Sequence, residues 1–331
     1  MEKMDFLAIG DTVIDAFIKI KDAHVHCKID TDACELCFRF GDKVPYEEVT
    51  VVPAVGNAAN AAVAASRLGL KSALVTNIGD DRDGEECLTS LKKDKVDTSF
   101  VKVNTGIKTN YHYVLWYVPE RTILIKHEKY EYSLPDIGEP KWLYFSSVSS
   151  TAFPFHNTIA DYLENHKGVK LAFQPGKNEI KLGKEKLERL YKNAEIFFCN
   201  VEEAETILGK ETKDVLELSK GISALGPKMV AISDGPNGAY LYLNNELWFM
   251  PIYPDPVPPF ERTGAGDAFS STFTAGLALG MSPLEALAWG PINSMAVVQE
   301  IGAQKGLLSR EKLEEYLKNA PADYKPKKIV K

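Results

Sequence analysis

Arg262-Thr-Gly-Ala-Gly-Asp-Ala268 runs without a break into Phe269-Ser-Ser-Thr-Phe-Thr-Ala-Gly-Leu-Ala-Leu-Gly280. Glycines at 264 and 266 permit a tight turn whose backbone N–H groups point one way, and the apolar, Ala-rich continuation reads as a buried helix. Free N–H groups at the positive end of a helix dipole make a cradle for an anion such as a phosphate in transfer. Asp267 falls in the first turn of that helix. A carboxylate has no Coulombic reason to approach a phosphate, so its position points to proton chemistry: it accepts the proton of a hydroxyl about to attack. The competing reading is a first-turn Asp that only complements the dipole.

The 331 residues suffice for one large α/β domain or two smaller ones. Hydrophobic residues at 45% and charged residues at 26% are globular values, which disfavours disordered and fibrous classes. A net charge of −7 and a pI near 5.5 argue against a nucleic-acid or anionic-membrane surface. No apolar run approaches the roughly 20 residues of a membrane helix. Cys27, Cys34, Cys37, Cys87 and Cys199 are an odd, scattered set, as expected of free thiols in a reducing compartment, so the expected location is cytoplasmic.

Upstream of the central stretch the chain alternates strands and helices. Phe6-Leu-Ala-Ile9 is a short buried strand with Asp11 and Asp15 after it. Val55 to Gly69 is an Ala-rich helix opened by a glycine turn, and Ser72-Ala-Leu-Val-Thr-Asn-Ile78 a further strand. Strands follow at Trp142–Phe145, Val169–Phe173, Ile196–Cys199, Met229–Ser233 and Ala239–Leu243, mostly separated by helices, which is the βαβ rhythm of a parallel sheet. Two stretches break it, about 16–48 and 108–126. Both show short alternating strands and turn signals, the second turning at Pro119-Glu-Arg121, and they are expected to pair as a lid sheet. The tail from Tyr324 to Lys331 reads as basic and frayed.

Three segments in this order resemble the ribokinase-like (PfkB) carbohydrate kinase family along essentially the whole chain. They are Gly56-Asn-Ala-Ala-Asn60 with Asn77-Ile-Gly-Asp-Asp81-x-x-Gly84, then Asn200-Val-Glu-Glu203, then Thr263-Gly-Ala-Gly-Asp-Ala-Phe269. The resemblance implies a three-layer α/β/α ribokinase-like fold with a mostly parallel central sheet and a small antiparallel β lid. The body would comprise 1–15, 50–107 and 127–331, and the lid 16–49 and 108–126. It implies ATP-dependent phosphorylation of a hydroxyl of a sugar or sugar-like molecule. Asp267 would be the base and Gly264, Ala265 and Gly266 the anion hole. Asp15, Gly56 and Asn60 match the sugar-binding positions, and Asn200, Ser233, Gly235, Gly238, Thr263 and Asn293 the nucleotide-binding ones. Glu203 would hold Mg²⁺ through water, an oxygen-ligand task suited to a carboxylate. Asn200 followed by acids is equally the signature of an ordinary capped helix.

The chain departs from the family pattern at two places. Val55-Gly56 replaces a frequent Gly-Gly pair, and Glu261-Arg262 replaces an Asp-Thr whose Asp is a frequent potassium ligand. Glu261 and Gly302 are therefore the candidate monovalent-cation positions, with K⁺ activation open. His24, His26, Cys27, Cys34 and Cys37 offer ligands for a structural zinc, against lid packing as the plainer reading. A nucleoside kinase of the same fold is the alternative function, favoured by a purine-sized pocket beneath Tyr111, Tyr113 and Tyr117. A non-catalytic member would need loss of Asp267. A dehydrogenase is disfavoured because no Gly-x-Gly-x-x-Gly follows the first strand. Expected partners are the sugar and ATP, no nucleic acid or membrane, and a homodimer through the lid sheet with Phe38, Phe40 and Tyr113 contributing.

Overall fold

Successive residues of the first strand, Phe6–Ile9, face opposite sides: Phe6 and Ala8 enter one apolar cluster, Leu7 and Ile9 another. A strand buried on both faces belongs to a sheet covered by helices on both sides, and that is the architecture. The structure, a computed structural model, describes residues 3–21, 23–27, 34–117 and 120–329. Pro119, the Cys27 side chain and residues 330–331 lie outside the described set.

The central sheet has ten strands in the order Lys327–Ile329, Glu246–Met250, Ala239–Leu243, Met229–Ser233, Ala194–Asn200, Lys170–Phe173, Trp142–Phe145, Phe6–Ile9, Ser72–Gly79 and Val101–Asn104. From Met229–Ser233 to Val101–Asn104 every pairing is parallel, and the three strands at the other edge are antiparallel. On one face pack the helices Asn57–Arg67, Ala265–Ala278 and Pro283–Val297. On the other pack Phe153–Asn165, Val201–Leu208 and Val215–Ser223. The tail differs from expectation: Lys327–Ile329 is an edge strand on Leu247–Phe249, with Lys328 Nζ 2.5 Å from Glu246 Oε1. The open ladder edge of Glu246–Met250 supplies the N–H and C=O partners that order it.

The lid is a separate sheet, Tyr46–Val55, Val13–Ile20, Asn110–Tyr117 and Glu120–Leu124. The two excursions do pair, but the strand that joins them is parallel: Val13–Ile20 runs alongside Asn110–Tyr117. Both leave the carboxyl-end side of the parallel sheet and so run outward in the same direction. Its strands reach further into the chain than expected, beginning at Val13 and ending at Val55. Asp81 anchors its base, because the carboxylate that caps helix Arg82–Lys93 at Gly84 N also accepts from Thr109 N and Oγ1, beside the lid strand's first residue. A small hairpin, His24–Cys27 with Cys34–Cys37, extends the lid segment. Cys34 is disulfide-bonded, whereas Cys37, Cys87 and Cys199 are free. Among the described residues no group of three His, Cys, Asp or Glu converges on a metal position, and no helix is long and apolar enough to cross a membrane.

Candidate active site

The carboxyl ends of parallel strands are where open α/β sheets bind ligands, and the functional side chains collect there. Phe6–Ile9 delivers Asp11, Lys170–Phe173 delivers Gln174, Ala194–Asn200 ends on Asn200, and Met229–Ser233 ends on Ser233. Opposite them stands the N-terminus of helix Ala265–Ala278, whose first-turn N–H groups have no helical carbonyl to bond. Gly264 is its N-cap, at φ 79°, and a Cβ there would stand 2.3 Å from Ala303 Cβ. Only glycine satisfies both the left-handed backbone and the close approach.

Asp267 is half-buried in the first turn of this helix. Its Oδ1 accepts from Asn57 Nδ2 at 2.9 Å and Gln174 Nε2 at 3.1 Å, and its Oδ2 from Asn60 Nδ2 at 2.8 Å. Burial raises its carboxyl above the ordinary value of 3.8, the three amides pull it down, and the charge on Asp15 adds to the rise. The carboxylate is therefore fixed in direction and more basic than a free one. Gln174 is itself held by Ser270 and Tyr144: Ser270 Oγ donates to Gln174 Oε1 at 3.0 Å, and the Tyr144 hydroxyl donates to the same oxygen.

Asn60, matched to a sugar-binding position, also bonds within the protein. One amide hydrogen goes to Asp267, and its Oδ1 accepts from Gln304 Nε2 at 3.0 Å, which also donates to Ala54 O. Gly56 caps helix Asn57–Arg67 at φ 114°, and a Cβ there would meet Asp11 O at 2.5 Å, so it permits backbone contact between the helix and the Asp11 loop. Asp15 lies on the lid face turned toward the body and is 8% exposed. His112 Nδ1 stands 3.3 Å from Asp15 Oδ1, yet Asp15 Oδ1 and His112 Nε2 have no hydrogen-bond partner although buried. Buried polar atoms left open in this way are ready for a polar ligand. Asp11 pairs with His127 at 3.1 Å and accepts from the Tyr132 hydroxyl at 2.8 Å.

On the other side of Gly266 lies a cavity of about 300 Å³, lined by Ser233, Gly235, Gly238, Asp255, Arg262, Ala265, Gly266, Phe269, Ser294 and Val298 among others. This volume lies in the range of ligand pockets. Asn293 does not line it: it is fully buried, donating to Thr272 Oγ1 and accepting from Leu308 N, while the next residue, Ser294, faces the cavity. Asn200 and Glu203 form a reciprocal helix cap, each side chain accepting from the other's backbone N–H at 2.8 Å. Burial raises the Glu203 carboxyl, the Asn200 amide opposes this, and the charge of Asp267 adds to the rise. Glu203 Oε1 lies outside the cap, and an oxygen of this kind suits a divalent cation held through water. Glu261 is 5% exposed; its two oxygens accept from Thr263 N at 2.8 Å and Gly302 N at 3.1 Å, and Arg121 Nη1 lies 3.9 Å away. With amides and a guanidinium around it, this carboxylate does not fit a monovalent-cation ligand.

A family model for pfkB family carbohydrate kinases matches residues 23–310. The chain belongs to the PfkB family. This carbohydrate kinase is 27% identical over 285 residues to the 2-dehydro-3-deoxygluconokinase of Thermoproteus tenax, covering 80% of this chain and 85% of that protein. It is 25% identical over 285 residues to a fructokinase of Klebsiella pneumoniae, covering 79% and 89%. The ribokinase of Arabidopsis thaliana, solved with ribose and ATP, superposes with a TM-score of 0.78 at 18% identity over 96% of this chain and 99% of that one, which shows a common fold. Asn57 and Gln174 are site residues that the sequence reading does not single out, and Gln304 falls in a segment that the resemblance assigns to the adenine and a monovalent cation. Asn57 sits inside the first signature, where a glycine-turn helix opening on an amide is a signal; Gln174 carries no local signal.

Proposed function

We propose that this PfkB kinase transfers the γ-phosphoryl group of ATP to a hydroxyl of a neutral, sugar-like molecule, with Asp267 as general base. The observation that supports it most is the Asp267 carboxylate, gripped by three amides in the field of Asp15, in the first turn at the N-terminus of its own helix. The hydroxyl proton passes to Asp267 as its oxygen forms a bond to the γ-phosphorus, and the bond from phosphorus to the bridging oxygen breaks to release ADP. The N–H groups at Gly264 to Gly266 stabilise the charge on the transferred group. Mg²⁺, when bound, neutralises phosphate charge, and Glu203 would hold it through water. Ser233, Gly235, Gly238 and Ser294 supply a cleft for the nucleoside part, with Arg262 and Gly266 toward the phosphates.

Neutrality follows from the counter-charges. Among the described residues the ion-pair partners of Asp11 and Asp15 are His127 and His112, with no Lys or Arg. An anionic substituent near two carboxylates meets a repulsion of about 1–4 kcal/mol. An ADP-release screen over ribose, fructose, nucleosides, sugar acids and fructose phosphates is therefore expected to find a neutral substrate, with anionic sugars lower in kcat/KM by about tenfold or more. Turnover of none, or preference for a sugar acid or phosphate, overturns the reading. The nucleoside alternative loses the support of its aromatic stack: Tyr113 aligns with Ala16 and Leu124 on the face opposite Asp15 and His112, and is 48% exposed.

That outer lid face carries Val49, Val51, Tyr113 and Leu124, all exposed, on three of the four strands. Exposed apolar patches of this kind favour association, and we infer a homodimer through it. Sedimentation equilibrium in the micromolar range is expected to give twice the 36.7 kDa chain mass, and a monomer mass removes the inference. The free thiols of Cys37, Cys87 and Cys199 support a cytoplasmic setting, with the disulfide at Cys34 the observation against it.

A further inference from the structure

We infer that Arg121 is a positioning residue that couples lid closure to the anion hole through Glu261. Among the described residues, side chains on the lid face that carries Asp15 also meet the body in a patch beside Glu261 and Gly302. Trp116 packs edge-on against Phe260, ring centroids 4.9 Å apart. A Cβ at Gly302 would stand 3.2 Å from Val52 Cγ2 and 3.6 Å from the Phe17 ring, so both lid side chains rest on that backbone. Arg121, on the fourth lid strand, reaches the same patch and places Nη1 3.9 Å from Glu261 Oε2.

Glu261 is where that patch meets the catalytic loop. Its carboxylate joins Thr263 N to Gly302 N, and Thr263 immediately precedes Gly264, the cap of the Asp267 helix. Phe260 N and Glu261 N both donate to Val298 O, which backs the loop against the end of the neighbouring helix. The carboxylate is 5% exposed, and among the described residues Arg121 is the cation within ion-pair distance. Removing the lid from this patch leaves a buried carboxylate without counter-charge, which is a strained arrangement. Closing the lid restores the charge and fixes the loop that aims the anion-hole amides. Because coupling is reciprocal, loosening the loop also loosens the lid.

The test uses the full chain and begins with a readout that needs no turnover. Hydrogen exchange of Arg121→Gln, with no ligand added, is expected to rise in two separated segments, 110–124 of the lid and 259–266 of the body, by roughly five- to tenfold. Exchange that changes in the lid alone overturns the coupling, and so does no change in either. Arg121→Lys, which keeps the charge, is expected to restore most of the protection. On the best substrate of the screen, Arg121→Gln is expected to lower kcat by about tenfold with KM for ATP moved by less than about threefold. A guanidinium salt at low millimolar concentration is expected to recover part of the loss in the variant and none in the parent. A kcat within twofold of the parent, or a loss confined to KM for ATP, overturns the proposal. The inference rests on the kinase reading, and the two fail differently: a parent without turnover sinks that reading, while the exchange pattern decides the coupling.

Discussion

Replacing Asp267 with Asn is expected to lower kcat by about 10²–10⁴-fold while ATP binding, measured by titration calorimetry, stays within a few-fold of the parent. The cavity proposed for the nucleotide is lined by Ser233, Pro236, Ile252 and Met295 among others and does not draw on the Asp267 carboxylate, whereas the proposed proton removal does. A drop smaller than about tenfold would show that another group takes the proton. The same argument fixes the pH profile. Burial first, then the Asp15 charge, place the carboxyl above 3.8, so kcat falls as pH is lowered through that raised value. Gln174 donates to the charged form, so removing it raises the value further and moves the acid limb to higher pH. A limb at or below the ordinary carboxylate range contradicts the burial of this base.

Gly264→Ala is expected to destabilise the fold by about 2–5 kcal/mol and to lower kcat by about 10²-fold in what remains folded. Two penalties add: a side chain at φ 79°, and a Cβ 2.3 Å from Ala303 Cβ and 2.6 Å from its Cα. The contacted atoms are largely backbone, so the loop must move, and with it the amides. Gly266→Ala is the internal control. No atom lies within 4 Å of its added Cβ and its backbone is helical, so thermal unfolding should be unchanged or slightly higher. If both variants unfold alike, close packing against Ala303 is not what requires glycine at 264.

Much of the body was legible because its signals are local. Phe6–Ile9, Trp142–Phe145, Met229–Ser233 and Ala239–Leu243 are continuous apolar runs of strand length, and all form strands of the central sheet. Helix Val201–Leu208 begins where Asn200 and Glu203 sit three apart, the spacing that lets two side chains cap one turn. The lid excursions were visible as breaks in rhythm, but not their relative direction, since alternation looks the same in parallel and antiparallel strands. Asn293 and Ser294 are neighbours about 100° apart on a helix; which one faces the cleft depends on rotation set by Thr272 and Leu308.

The sequence alone determined the glycine turn at 264–266, the carboxylate that directly follows it, and the alternation that makes a covered parallel sheet. Each depends on residues within a few positions of one another. The tertiary structure decided what holds that carboxylate: Asn57 is 210 residues away, Gln174 is 93 away, and Gln304 orients Asn60 across 244. It also decided that Glu261 faces an arginine of the lid. Hydrogen bonds and ion pairs across such separations are set by how helices and sheets pack, and no local period in the chain encodes them.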